Sequence, residues 1–175
     1  MIKLLKKDRL QFLLIFIVTN IFCAIFLLSP KSPEIDLISS LTSTNYITLI
    51  LNNIYIFYMF KKAKKVKSIY DKIICRIGKK KFFCKYILNS IIDILVFLFI
   101  TYLTIYLKLG INIKLMNFFI IFLFLNFINF LIQELFSMLI FLTKKGNKYI
   151  VITVIMNLVF YYYFIPFLIK IMEVV

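Results

Sequence analysis

Two carboxylates, Asp93 and Glu134, lie inside long apolar runs of this 175-residue chain. A carboxylate placed in hydrocarbon is costly enough to be a functional candidate by default. Glu134 stands about ten residues, or roughly 15 Å of helix, from Lys144 and so near mid-membrane. No Lys or Arg lies inside the apolar run around it or inside the other runs. Two readings follow: a carboxyl kept neutral by desolvation, or a group open to water or to a cationic ligand. Asp93 lies nearer the end of its run, beyond Lys85 and one turn past Asn89, so Arg76, Lys81 or Lys85 can tether it to the neighbouring basic segment. The two carboxylates thus read at different depths, which leaves an intramembrane enzyme without its carboxylate pair. The chain has no His, which excludes His-based acid/base chemistry, Ser-His-Asp triads and His-containing metal sites. No catalytic residue and no metal site is assigned.

Amides supply the other polar chemistry. Asn126, Asn129, Gln133 and Ser137 recur at helical spacing and share one stripe with Glu134 beside it. Asn45, Thr48, Asn52 and Tyr55 form a second stripe. Lipid offers an unpaired amide no partner, so both stripes must face other helices or a wet cavity. They serve either as packing glue, at about 0.5–2 kcal/mol per bond, or as the lining of a substrate path.

The elements that carry these groups are membrane helices. Apolar residues make up 63% of the chain, where about half is usual for a soluble domain. Apolar runs at about 10–28, 39–60, 86–107, 115–142 and 149–169 are each long enough to cross the bilayer core as a helix. The sequence therefore predicts an all-α, polytopic bundle of about five transmembrane helices forming one domain. Gly78, Gly110, Gly146, Pro30 and Pro33 fall in the breaks, and Pro166 is expected to kink or end the last span. The first span reads as a retained signal anchor, because no small-x-small cleavage site follows it. Cys23, Cys75 and Cys84 form no disulfide or metal pattern and read as apolar filler. Tyr161, Tyr162 and Tyr163 read as an interfacial aromatic belt.

Charge orients the bundle. The first nine residues, the segment 61–85 and the turn near 144–148 together hold 18 of the 22 Lys and Arg. Collected on one side, they predict an N-terminus inside and a C-terminus outside. The net charge of +15 then belongs mainly to the cytoplasmic face, where anionic headgroups attract each nearby Lys by about 1 kcal/mol. A membrane surface, rather than nucleic acid, is the expected partner of this charge.

The segment 61–85 carries a pattern of its own. From Lys62 to Ile77, Ala63, Val66, Ile69, Tyr70, Ile73, Ile74 and Ile77 recur every three or four residues among Lys, Asp and Arg. This predicts a cytoplasmic amphipathic helix between spans two and three, stopped by Gly78 in a left-handed cap. Lys79, Lys80 and Lys81 then precede Phe82 and Phe83 at the start of span three. Such a helix either lies on the inner leaflet and fixes topology or docks another protein.

The layout of a basic N-terminal lead, a small external loop, a helical cytoplasmic loop after span two and short later connections resembles the membrane subunit of ABC-2-type exporters. The stretch Ile74 to Lys85 is similar to the Arg, Gly, basic cluster, aromatic, Lys pattern of small permease-like proteins from low-GC Gram-positive bacteria. The chain departs from that family in having five spans rather than six and almost no external domain. The resemblance implies an ATPase-coupling helix built from Val66, Ile69, Tyr70, Ile73, Ile74, Ile77, Lys79, Phe82 and Phe83. It also implies a separate cytosolic ATPase that binds ATP and Mg, a second permease subunit forming a homo- or heterodimer, and a peptide or amphiphile as substrate. No Walker phosphate loop can be written with the glycines of this chain, so it is not expected to bind a cofactor itself or to hydrolyse ATP. The alternative is a non-transporting membrane protein, such as a bacteriocin immunity or membrane-complex assembly factor. Either reading places the chain in a bacterial plasma membrane as a multi-pass protein.

Overall fold

The computed structural model describes residues 2–27, 50–109, 113–143 and 147–174. Residue 28 and residues 39–49 of the expected spans, with Asn45 and Thr48, lie outside them, as do Lys144, Lys145, Gly110 and Gly146. The described elements are all helical: α1 (Ile2–Leu27), α2 (Asn52–Lys67), α3 (Tyr70–Ile77), α4 (Lys79–Leu109), α5 (Ile113–Leu142) and α6 (Asn147–Val159). A π-helical turn, Phe160–Phe164, then leads into α7 (Ile165–Val174). Three stretches, Lys79–Leu107, Met116–Phe141 and Lys148–Lys170, are long and apolar enough to cross a membrane. Their outer faces carry exposed Leu88, Leu95, Phe99, Ile120, Phe124 and Val151. Exposed apolar surface on this scale suits lipid and not water. On α1, Leu10, Leu14, Val18, Phe22 and Ile25 continue the same kind of surface.

The interior is aromatic. Tyr55 of α2 meets Phe12 of α1 at 6.0 Å, Phe97 of α4 at 4.6 Å and Phe130 of α5 at 5.1 Å between ring centroids. One buried ring thereby touches three other helices. A second aromatic cluster ties α3 to the bundle: Tyr70 stacks on Phe141 at 5.4 Å and meets Phe82 edge-on at 5.1 Å. Polar contacts bring the start of α1 and the ends of α2 and α5 together with the early part of α4. Lys65 Nζ lies 2.6 Å from Asp8 Oδ2. Lys67 Nζ donates to the Thr143 carbonyl at 2.5 Å, and Arg9 Nη2 to the Asn89 carbonyl at 3.5 Å.

Several expectations change. The helix expected from Lys62 to Ile77 is two helices, because the chain turns at Ser68 and Ile69. The Ser68 hydroxyl bonds the Lys65 carbonyl at 2.7 Å and competes with helix continuation there. α2 is thus an uninterrupted extension of the second apolar run as far as Lys67. Gly78 has a positive φ of 78° but a ψ of 154°, which is an extended glycine conformation and not the left-handed cap. Its N–H still bonds the Ile74 carbonyl at 2.8 Å, and α4 begins at the next residue, well before the expected start of span three. Pro166 does not end the last helix, which runs on to Val174. A wider π turn precedes it, the kind of local adjustment that absorbs a missing N–H and a ring clash.

Candidate functional site

α2 carries Lys62 on the same face as Tyr55, seven residues earlier, and both are buried. The neighbours α4 and α5 present Ser90, Asp93 and Glu134 to that face. The Lys62 ammonium lies 2.6 Å from Glu134 Oε1, 3.2 Å from Asp93 Oδ2 and 2.9 Å from Ser90 Oγ. An ammonium has three donors, and these three oxygens match them. The Tyr86 and Tyr58 rings stand 5.2 Å and 5.9 Å from the same nitrogen, within cation–π range.

The cluster extends outward through Asp93. Arg9 Nη2 of α1 lies 2.5 Å from Asp93 Oδ1, and the Tyr58 hydroxyl donates to Asp93 Oδ2 at 3.4 Å. Partial burial acts to lower the Arg9 pKa, the adjacent Asp93 carboxylate acts to raise it, and the net shift is upward. Glu134 accepts from the Ser137 hydroxyl at 3.1 Å on Oε2 and from the Tyr55 hydroxyl at 3.5 Å on Oε1. Two cations and two carboxylates, Arg9, Asp93, Lys62 and Glu134, therefore form a charge-balanced chain through α1, α4, α2 and α5. Burying an ion costs several kcal/mol unless pairing and hydrogen bonds compensate, and here each buried charge has both.

Glu134 thus has a cation after all, and it comes from α2. Lys62 lies just beyond the second apolar run, and its ammonium is buried in the bundle between Asp93 and Glu134. Asp93 is held by Arg9 and Lys62, whereas Arg76, Lys81 and Lys85 are exposed. Asp93 and Glu134 also reach a common level, since both touch one nitrogen. Each carboxylate therefore has a cation at ion-pair distance, Glu134 from Lys62 and Asp93 from both Lys62 and Arg9. Among the described residues, no group of three or more His, Cys, Asp or Glu is placed to hold a metal ion.

The α5 amide stripe is buried throughout, as are Glu134 and Ser137. Asn126 donates to the Tyr102 hydroxyl of α4 at 2.5 Å and accepts from the Tyr161 hydroxyl of the π turn. Gln133 donates to Asn129 Oδ1 at 3.1 Å, and Asn52 of α2 donates to Asn157 Oδ1 of α6 at 3.3 Å. Gln133 Oε1 and Asn129 Nδ2 have no partner among the described residues. Tyr161 is an interior residue and not part of a belt, while Tyr162 and Tyr163 remain exposed. Cys75 and Cys84 are exposed thiols rather than packing filler.

The expected coupling residues divide by burial. Val66 and Phe82 are buried; Ile69, Tyr70, Ile73, Ile74, Ile77 and Phe83 are half-buried; Lys79 is exposed. The apolar side of α3 packs on its own bundle, and its exposed side is Asp71, Lys72, Cys75 and Arg76. Arg9, Lys62 and Ser90 were not singled out from sequence. Lys62 carried a signal, because it continues the Asn52 and Tyr55 stripe by a further seven residues.

In comparisons with known proteins, no family model, curated protein or solved structure matches this chain.

Proposed function

We propose that the chain is a five-span subunit of a bacterial plasma membrane, N-terminus inside and C-terminus outside, acting as the permease-like part of an ATP-driven exporter of the ABC-2 kind. Its cargo would be a peptide or amphiphile. A separate cytosolic ATPase would supply ATP and Mg chemistry, and a second permease subunit would complete the pore. The observation that carries this reading is the seat of α3. Through Tyr70 it rests on Phe82 of α4 and Phe141 of α5, and its other side is open and charged. A short helix backed by two long apolar helices suits transmission of a push from a soluble partner into the bundle. In the proposed orientation α3 lies on the cytoplasmic face, where such a partner would be found.

A second reading, a non-transporting immunity or assembly factor, draws on a different observation. The polar groups of α5 bond mainly within the bundle, as packing glue would. Gentle detergent purification from the native host separates the two. An exporter subunit retains a stoichiometric protein with a Walker motif and ATP hydrolysis. Retention of only another membrane protein, without ATPase activity, overturns the transport reading in favour of the passive one.

A further inference from the structure

Between α1 and α2 runs an open groove of about 560 Å³ that neither the charge cluster nor α3 accounts for. Its walls change character along its length. Asp8, Gln11 and Lys61 stand at one end, and Leu14, Ile15, Ile54 and Phe57 line the stretch one to two turns further in. Phe12 and Tyr58, stacked at 4.0 Å, lie beneath as a rigid floor. Leu14, Ile15 and Phe57 are more than half exposed.

We propose that this groove holds one anionic phospholipid of the inner leaflet, its phosphate headgroup at Lys61 and an acyl chain along Leu14, Ile15, Ile54 and Phe57. Charge complementarity selects the occupant. Asp8 is neutralised by Lys65 at 2.6 Å, which leaves the exposed Lys61 ammonium as the net charge at the polar end. A phosphate offers that ammonium acceptors, and Gln11 adds an amide donor beside it. A groove of about 560 Å³ seats the headgroup and one acyl chain, and the second chain stays in the bilayer. An apolar floor of two stacked rings suits an acyl chain and gives nothing to a second headgroup. The proposal rests on α1 and α2 crossing the bilayer with Asp8 and Lys61 at the cytoplasmic surface. It is independent of any role in export.

The test is native mass spectrometry of the full chain released from vesicles of equal phosphatidylglycerol and phosphatidylcholine. One phosphatidylglycerol should remain bound after annular lipid is stripped, at least five-fold in preference to phosphatidylcholine. Lys61→Gln should abolish that preference, and Leu14→Trp, which fills the groove from an exposed position, should lower retention of either lipid at least five-fold. Lys80→Gln, removing an exposed cation of α4, should change neither. Equal retention of both lipids, equal loss in Lys61→Gln and Lys80→Gln, or a lipid-free dimer seated through this face would each overturn the proposal. Membrane placement is read separately, by labelling Ile15→Cys with an impermeant maleimide in a chain whose three native cysteines are serine. Labelling at Ile15→Cys overturns the placement itself; protection without lipid preference overturns the lipid site alone.

Discussion

Lys62 Nζ lies 2.6 Å from Glu134 Oε1 and 3.2 Å from Asp93 Oδ2, so one ammonium from α2 joins two carboxylates on α4 and α5. Removing it leaves Glu134 buried without a cation, while Asp93 keeps Arg9 alone. Lys62→Met is expected to destabilise the folded bundle by about 3–5 kcal/mol. Glu134→Gln leaves Lys62 with Asp93 and Ser90 and is expected to cost less, about 1–3 kcal/mol. Equilibrium unfolding in mixed micelles orders the two variants, and the reverse order would contradict the geometry described.

Arg9 and Asp93 offer a graded comparison. The Asp93 side chain is buried while that of Arg9 keeps a third of its surface exposed. Asp93→Asn deprives two cations of a partner, whereas water can replace part of what Arg9→Gln removes. Asp93→Asn should therefore be the more damaging in the same unfolding assay. Asp8→Asn, which breaks a more exposed pair with Lys65, should cost about 0–1 kcal/mol.

Tyr161 and Tyr163 differ in burial within one aromatic run. Tyr161→Phe removes the hydroxyl that donates to Asn126 and is expected to cost about 0.6–1.7 kcal/mol, the range of bonds between membrane helices. Tyr163→Phe, on the exposed side, should leave stability unchanged. Equal effects would place both hydroxyls at the surface.

Gly78 adopts a backbone conformation that L side chains avoid, although a Cβ there would meet nothing within 4 Å. The cost of Gly78→Ala is thus a backbone cost, about 1–3 kcal/mol. It should fall on the junction between α3 and α4, visible as faster amide exchange in Tyr70–Ile77 with α5 unaffected. Unchanged exchange there would count against the strained junction.

The helical class and the three helices long and apolar enough to cross a membrane were legible because long apolar runs leave few alternatives. The amide stripe on α5 was legible for the same reason: periodicity places Asn126, Asn129, Gln133 and Ser137 together whatever the fold. Periodicity within one helix says nothing about its neighbours, and the charge cluster depends on neighbours. Glu134 was visible as costly, yet its partner lay in a basic segment that read as water-exposed. Which of several nearby lysines turns inward is decided by the register of α2 against α5. The turn at Ser68 was hidden likewise, since the apolar spacing continues across it while the helix does not.

The exposed side of α3 is where the proposed function is most directly tested. A photo-crosslinking residue at Lys72 or Arg76, exposed positions that leave the Tyr70 and Phe82 packing intact, reports what touches that surface in the native membrane. The exporter account predicts a single crosslinked protein carrying a Walker motif, lost when the neighbouring Asp71 and Lys72 or Arg76 charges are reversed. Crosslinks only to lipid, or only to another membrane-embedded chain, would contradict it.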